Sequence, residues 1–193
     1  MDQGIILNFN MKKLLLIIIF GLLLSGNSYA IENWEIKKVT DDKYIEISTE
    51  GLGVKGDKYK LLIKVNGECN TIEDIFTFYT TKNNPGIMLL PGKKIGLESL
   101  GNSIASEIVA VVPVLSGSHH MVLISNGAYE LDGHTKFISE YEKNEVKLLT
   151  VFDDFEKKTG WEADEFFSTT TNSWSLKNVS KAVQEGRKMC LES

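Results

Sequence analysis

The chain is poor in cysteine, histidine and proline, and it has no excess of positive charge. Its two cysteines, Cys69 and Cys190, lie far apart, so the close C-x-x-C pair of a redox-active thiol site is missing. With 21 basic against 26 acidic side chains and a net charge of −5, no basic stripe exists to neutralise phosphates. Nucleic acid and anionic membrane surfaces are therefore excluded as expected partners. Of the three prolines, Pro85 and Pro91 mark turns, none builds a linker, and no repeat or low-complexity tract divides the sequence.

One long apolar run is present, and it stands at the N-terminus. "MKKLLLIIIFGLLLSGNSYA" combines Lys12 and Lys13, an apolar stretch from Leu14 to Leu24 and the small-residue exit Ser28-Tyr29-Ala30, which are the three parts of a secretory signal peptide. The apolar run is about half of the roughly 20 residues that span a bilayer. Cleavage is expected after Ala30, and translation from Met11 is the alternative start because the preceding ten residues carry no lysine. Removing residues 1–30 makes the net charge one unit more negative and leaves 31–193 as a single β-rich domain with no further membrane span. An uncleaved anchor is the competing reading. The expected location is periplasmic or secreted.

Export decides how the cysteines are read, since an oxidising compartment favours a bridge. A Cys69–Cys190 disulfide is expected, with free thiols or an intermolecular bridge as alternatives. Its role is read as structural. Ser175 is placed as the cap of a closing helix from Leu176, whose residues Leu176, Val179, Val183 and Cys190 share one face while Lys177, Lys181 and Glu185 face water. Gly186 weakens that helix by roughly 1 kcal/mol relative to alanine, and a short terminal helix frays unless it is tied down.

Between the termini the pattern is mainly short strands. "YKLLIKV" and "ECNTIEDIFTFYTT" flank Asn66-Gly67, a tight-turn signal for a hairpin. "IMLL", "SEIVAVVPVL" with Pro113 at an edge or bulge, "HHMVLIS", "VKLLTVF" and "ADEFFSTTT" read as further strands, and residues from Thr135 to about Asn144 as a short helix. The fold class is mainly β: an antiparallel β-sandwich or strongly bent sheet with a short late helix and a C-terminal capping helix.

Candidate chemistry is sparse. His119 and His120 with His134 and Asp132 are the one grouping suited to a metal, but consecutive strand residues point to opposite faces, so no metal or cofactor is assigned. "GNSIA" has Ser103 where a nucleophile elbow would place its serine, without the following helix or a suitably placed later histidine and acid. Asp41-Asp42 and Asp153-Asp154 read as solvated turns, lacking calcium-loop spacing. Trp34 and Trp174 flank core segments, whereas Trp161, in a charged stretch, is the candidate contact residue. No catalytic residue is assigned.

The order of an early Trp34, "LLPGKKIGLE", "VKLLTVF" and then "TNSWSLKNVSKAVQEGRKMC" resembles small exported bacterial proteins of the invasion-associated locus B type and their periplasmic relatives. In these a strand leads into an SLKG-hydrophobic-x-x-A helix. Ser175, Leu176, Lys177, Val179 and Ala182 match, Asn178 stands in place of the glycine, and the family's N-terminal cysteine pattern is missing. The resemblance implies an exported β-sandwich protein acting at the envelope or host interface. The expected function is non-enzymatic binding of a protein or envelope component, with a small secreted hydrolase or enzyme inhibitor as the alternative.

Overall fold

The computed structural model describes residues 29–40, 43–65, 68–99, 101–115, 118–149, 151–154 and 159–193. The leader therefore lies outside the described residues up to position 28, as do Asp41-Asp42 and the Asn66-Gly67 turn. Twelve strands are described: β1 (Tyr29–Ile31), β2 (Trp34–Val39), β3 (Tyr44–Glu50), β4 (Lys58–Lys64), β5 (Thr71–Thr80), β6 (Lys94–Ser99), β7 (Asn102–Val114), β8 (His119–Glu130), β9 (Lys143–Leu149), β10 (Val151–Asp154), β11 (Thr159–Trp161) and β12 (Thr171–Ser175). Three α-helices accompany them: α1 (Leu131–Ser139), α2 (Ala163–Phe166) and α3 (Val179–Leu191). A cut after Ala30 would fall within β1 and leave only the Ile31–Trp34 pair of its ladder.

Ten strands form one sheet in the order β1-β2-β3-β4-β5-β8-β7-β6-β9-β12, each pair antiparallel, and β10 and β11 form a separate hairpin. The sheet bends back on itself. Although six strands separate β12 from β3 in that order, Leu52 N–H donates to Ser173 O at 2.8 Å and Gly53 N–H to Asn172 Oδ1 at 3.0 Å. Asn172 also donates to Asp57 Oδ2 at 2.9 Å, so one buried carboxamide clasps the β3–β4 loop to the last strand. Burial raises the Asp57 carboxyl above the usual carboxylate range, opposed by the hydrogen bonds from Tyr79 N–H and Asn172.

Strand alternation sends one set of side chains inward. Trp34, Ile36, Ile45, Ile47, Tyr59, Leu61, Ile63, Phe76, Phe78 and Trp174 join one continuous core, and aromatic contacts run from Tyr59 through Phe76 to Trp174. The opposite face carries a second apolar group around Tyr44, Leu62, Ile75 and Leu123.

Helix α3 covers the inner face of β2 to β4. Its buried residues include Val179, Val183 and Cys190, and Lys181 and Glu185 face solvent, as the helical spacing requires. It begins at Val179 rather than Leu176, because Asn178 takes a left-handed backbone at φ +63°, a conformation that glycine favours and asparagine tolerates. Cys69 and Cys190 are joined, Cα to Cα 6.2 Å, with 121 residues of sequence separation.

Four other readings are corrected. "IMLL" is a 3₁₀ turn, Pro85–Leu89, because Asn84 caps it through Gly86 N–H and proline stands in its first turn. The first half of "ADEFFSTTT" is the one-turn helix α2, and the strand starts at Thr171. The late helix runs over 131–139, started by Glu130, whose carboxylate accepts from Asp132 N–H at 3.1 Å and Gly133 N–H at 2.6 Å. Trp161 belongs to β11, is only 8% exposed and meets Phe166 edge-on, so it is packed rather than presented.

Gly186 is where α3 touches the sheet. A Cβ there would lie 2.5 Å from Ile47 Cδ1, 2.9 Å from Ile47 Cγ1 and 3.5 Å from Ile45 Cγ2. Alanine adds about 1 kcal/mol of helix propensity, but overpacking a filled core costs roughly 1–3 kcal/mol, and Ile47 has no exposure to relax into. Gly186→Ala is therefore expected to lower the unfolding midpoint by roughly 2–4 °C, a net loss near 1 kcal/mol. Adding Ile47→Val, which deletes the atom at 2.5 Å, should make the pair less destabilised than the sum of the single changes. Additive losses would refute the contact.

Candidate functional site

Alternation along β5 puts Ile72, Asp74, Phe76 and Phe78 on the inner face, so an acid stands in an otherwise apolar row. Asp74 is 5% exposed, and a buried carboxylate is stable only with its lone pairs satisfied. Tyr59 Oη donates to its Oδ2 at 3.0 Å, Asn126 Nδ2 to its Oδ1 at 3.0 Å, and His134 Nε2 meets Oδ2 at 2.9 Å. A carboxylate can only accept, so Nε2 is the donor of this pair. Burial, followed by the Asp74 charge and its hydrogen bond, holds the Tyr59 phenol well above its ordinary range, so Tyr59 stays a donor.

Two local devices deliver these side chains. A register shift in the β5–β8 ladder, where Asp74 faces Gly127 and Ile75 faces Ser125, leaves Asn126 as an extra residue turned to Asp74. Gly127 at φ +121° makes the bend, and Ser106 Oγ donates to Asn126 Oδ1 at 2.6 Å. The Glu130 cap then starts α1 directly at the end of β8, placing His134 in its first turn, back over β5. The two capping amides hold the Glu130 carboxyl below the usual range.

Aromatic rings form the rim. Tyr129 lies parallel to His134 with centroids 4.3 Å apart, Phe137 follows at 6.4 Å from His134, and Tyr141 at 5.8 Å from Phe137. Tyr129 Oη donates to Asn126 O at 2.7 Å, and burial raises its phenol above the ordinary range, with Asp74 adding to the shift. Tyr129 is 38% and Phe137 52% exposed. Beneath them lies a cavity of about 220 Å³, lined by Tyr59, Asp74, Phe76, Phe137, Tyr141 and Asn144 among others. It adjoins one of about 370 Å³ that shares Asp74, Ile104, Asn126 and Phe137 with it. No lysine or arginine lines either one among the described residues.

The residues singled out in the sequence are dispersed. His119 and His120 open β8 at its far end from His134, Asp132 pairs with Arg187, and the described residues contain no group of three His, Cys, Asp or Glu able to hold a metal. Ser103 is exposed on β7, opposite Glu98, with strand on both sides of its turn. Asp153 and Asp154 belong to β10. Trp34 and Trp174 are buried in the core. Asp74, Tyr59 and Asn126 were not found from sequence, although an acid within the Ile72, Phe76, Phe78 alternation was a signal for the first. The chain matches no known protein-family model, no curated protein and no solved structure.

Proposed function

We propose that this chain is an exported bacterial envelope or secreted protein that acts by binding an envelope component or another protein, without turnover. The observation that carries the reading is the cleft between α1 and the sheet: its polar floor is locked by internal hydrogen bonds, while aromatic rings at its mouth stay exposed. Preformed clefts with apolar walls and a few fixed polar groups are binding sites. The leader supports export. The disulfide, and the lack among the described residues of a helix long and apolar enough to cross a membrane, agree with it. The strand-to-helix segment resembling the invasion-associated locus B type favours an envelope or host-facing role, and Asn178 adopts the glycine-like backbone where that pattern carries glycine.

The His134–Asp74 pair favours the hydrolase alternative, because histidine oriented by a carboxylate is general-base chemistry. Against it, no serine, threonine or cysteine among the described residues hydrogen-bonds His134, and Ser103 is on another face.

The deciding experiment produces the full chain with its own leader, recovers the exported form and measures retention of solubilised envelope material. The mass should begin at Ile31. Retention should fall at least about tenfold in Tyr129→Ala/Phe137→Ala, since rim aromatics are typical affinity anchors, and persist in Leu115→Ala, an exposed residue elsewhere. Retention indifferent to the rim, or turnover of ester, peptide or glycoside substrates lost with His134→Ala, would overturn the reading.

A further inference from the structure

Two polar residues occupy positions in the apolar rows of the inner sheet face, and both line one cavity. Asp74 stands between Ile72 and Phe76 on β5, and Asn144 precedes Val146 and Leu148 on β9, where strand alternation gives each row a single face. They meet at the cavity of about 220 Å³ beneath α1. Asp74 is already engaged, since Tyr59 and Asn126 donate to it and His134 pairs with it at 2.9 Å. Asn144 differs. It is 7% exposed and its Oδ1 accepts from Ser99 Oγ, but its Nδ2 amide meets no acceptor among the described residues. Buried polar groups are normally hydrogen-bonded, so this amide, at the cavity wall, lacks the partner that a bound molecule would supply.

The walls set the charge and the shape of that molecule. No lysine or arginine lines this cavity or the adjoining one of about 370 Å³ among the described residues, and Glu130 borders the second, so an anion finds no counter-charge. Asp74 has His134 beside it, so a cation finds no carboxylate left without a partner. An uncharged molecule fits, provided that it offers an acceptor to Asn144 Nδ2. A hydroxyl does so, and it can also donate to Ser99 Oγ, whose own proton is directed at Asn144. The rest of the lining is apolar, with Phe76, Leu97, Ile104, Phe137 and Tyr141, and Phe137 stays half-exposed at the mouth. Hydroxyl groups around the edge of a ring, together with a C–H face that leaves water by packing on aromatic rings, describe a pyranose sugar.

We infer that the cleft beneath α1 binds one neutral pyranose residue of an envelope saccharide, with its ring on Phe137 and Tyr141 and a hydroxyl accepting from Asn144 Nδ2. This deepens the binding reading above and rests on it. The test titrates the intact, bridged protein by calorimetry with the methyl glycosides of glucose, galactose, mannose and N-acetylglucosamine, with the uronate of whichever binds, and with cyclohexanol, a six-membered ring bearing one hydroxyl. At least one neutral glycoside should bind saturably, and its uronate and cyclohexanol at least about tenfold more weakly. Asn144→Leu keeps the bulk of the side chain and removes the donor, and it should weaken glycoside binding by about tenfold. Phe137→Ala changes a half-exposed ring whose loss leaves the core intact, and it should weaken binding by a similar factor. Cyclohexanol or the uronate binding as tightly as the glycoside would overturn the inference, as would glycoside binding indifferent to both substitutions. So would undetectable binding of all four glycosides by a protein whose retention of envelope material still depends on Phe137, an outcome that leaves the binding reading standing. Loss of both binding activities would overturn the two together.

Discussion

Reduction of the Cys69–Cys190 bridge should lower the thermal midpoint by roughly 10–20 °C. Joining residues separated by 121 positions removes about 5 kcal/mol of conformational freedom from the unfolded chain in the loop-entropy account. For a domain of this size each kcal/mol moves the midpoint by roughly 2–4 °C. The native side adds a local effect. Helix α3 has 13 residues, too few to persist alone in water, and beyond its apolar stripe it is tied down by Arg187, which donates to Asp132 at 3.1 Å and to Asn70 Oδ1 at 2.7 Å. Without the bridge, amide exchange should accelerate in the last turns of α3 before it does in the β4–β5–β8 ladder. Cys190→Ser is the cleaner variant, because Cys69 sits at φ +52° and its replacement mixes backbone strain with loss of the crosslink. A shift below about 5 °C, or uniform acceleration of exchange, would show that packing rather than the crosslink holds the helix.

The same helix shows what a sequence discloses. The 3.6-residue stripe of Val179, Val183 and Cys190 was legible because burial enforces it, and so were Trp34 and Trp174 as core residues and the β4–β5 pairing. The role of Gly186 was not legible, since helix propensity alone makes it a weakness and only the position of Ile47 turns it into a requirement. The strand read from "HHMVLIS" stops at Ser125, whereas Asn126-Gly127 form a bulge and β8 runs on to Glu130, directly into α1. The late helix shifted upstream for a related reason: Glu130 caps it through its own side chain, so the apolar periodicity beginning near Thr135 located the body of the helix and missed its start. The site inherits both difficulties. Its members come from β4, β5, β8 and α1 and meet through strand register, which local patterning does not encode. Asp74 alone left a trace, as an acid on an apolar strand face.

Trp34→Ala should cost about 3–5 kcal/mol, the usual range for emptying a buried aromatic position, and shift the midpoint by roughly 6–20 °C. Trp34 is 1% exposed, meets Tyr59 at 6.3 Å in an edge geometry and donates through Nε1 to Lys177 O at 2.8 Å. It therefore fastens the second strand to the entry of the last helix. Glu32 reinforces that junction by accepting from Lys177 Nζ at 3.1 Å and Asn178 Nδ2 at 3.0 Å, but those contacts are exposed and expected to contribute little. Trp34→Phe separates the two parts of the effect: it keeps an aromatic ring and abandons Lys177 O, an acceptor whose loss of a partner costs about 1–3 kcal/mol. Because Tyr59 packs on Trp34 and donates to Asp74, the alanine variant should also loosen the floor of the cleft, weakening ligand binding under conditions where the protein is still fully folded. The phenylalanine variant should bind nearly normally while unfolding earlier. Urea unfolding with an unchanged slope, read beside calorimetric binding of the folded variants, checks both arms. Equal losses of stability in the two variants would place the whole effect in the hydrogen bond, and unaltered binding by the alanine variant would break the proposed link from Trp34 through Tyr59 to Asp74.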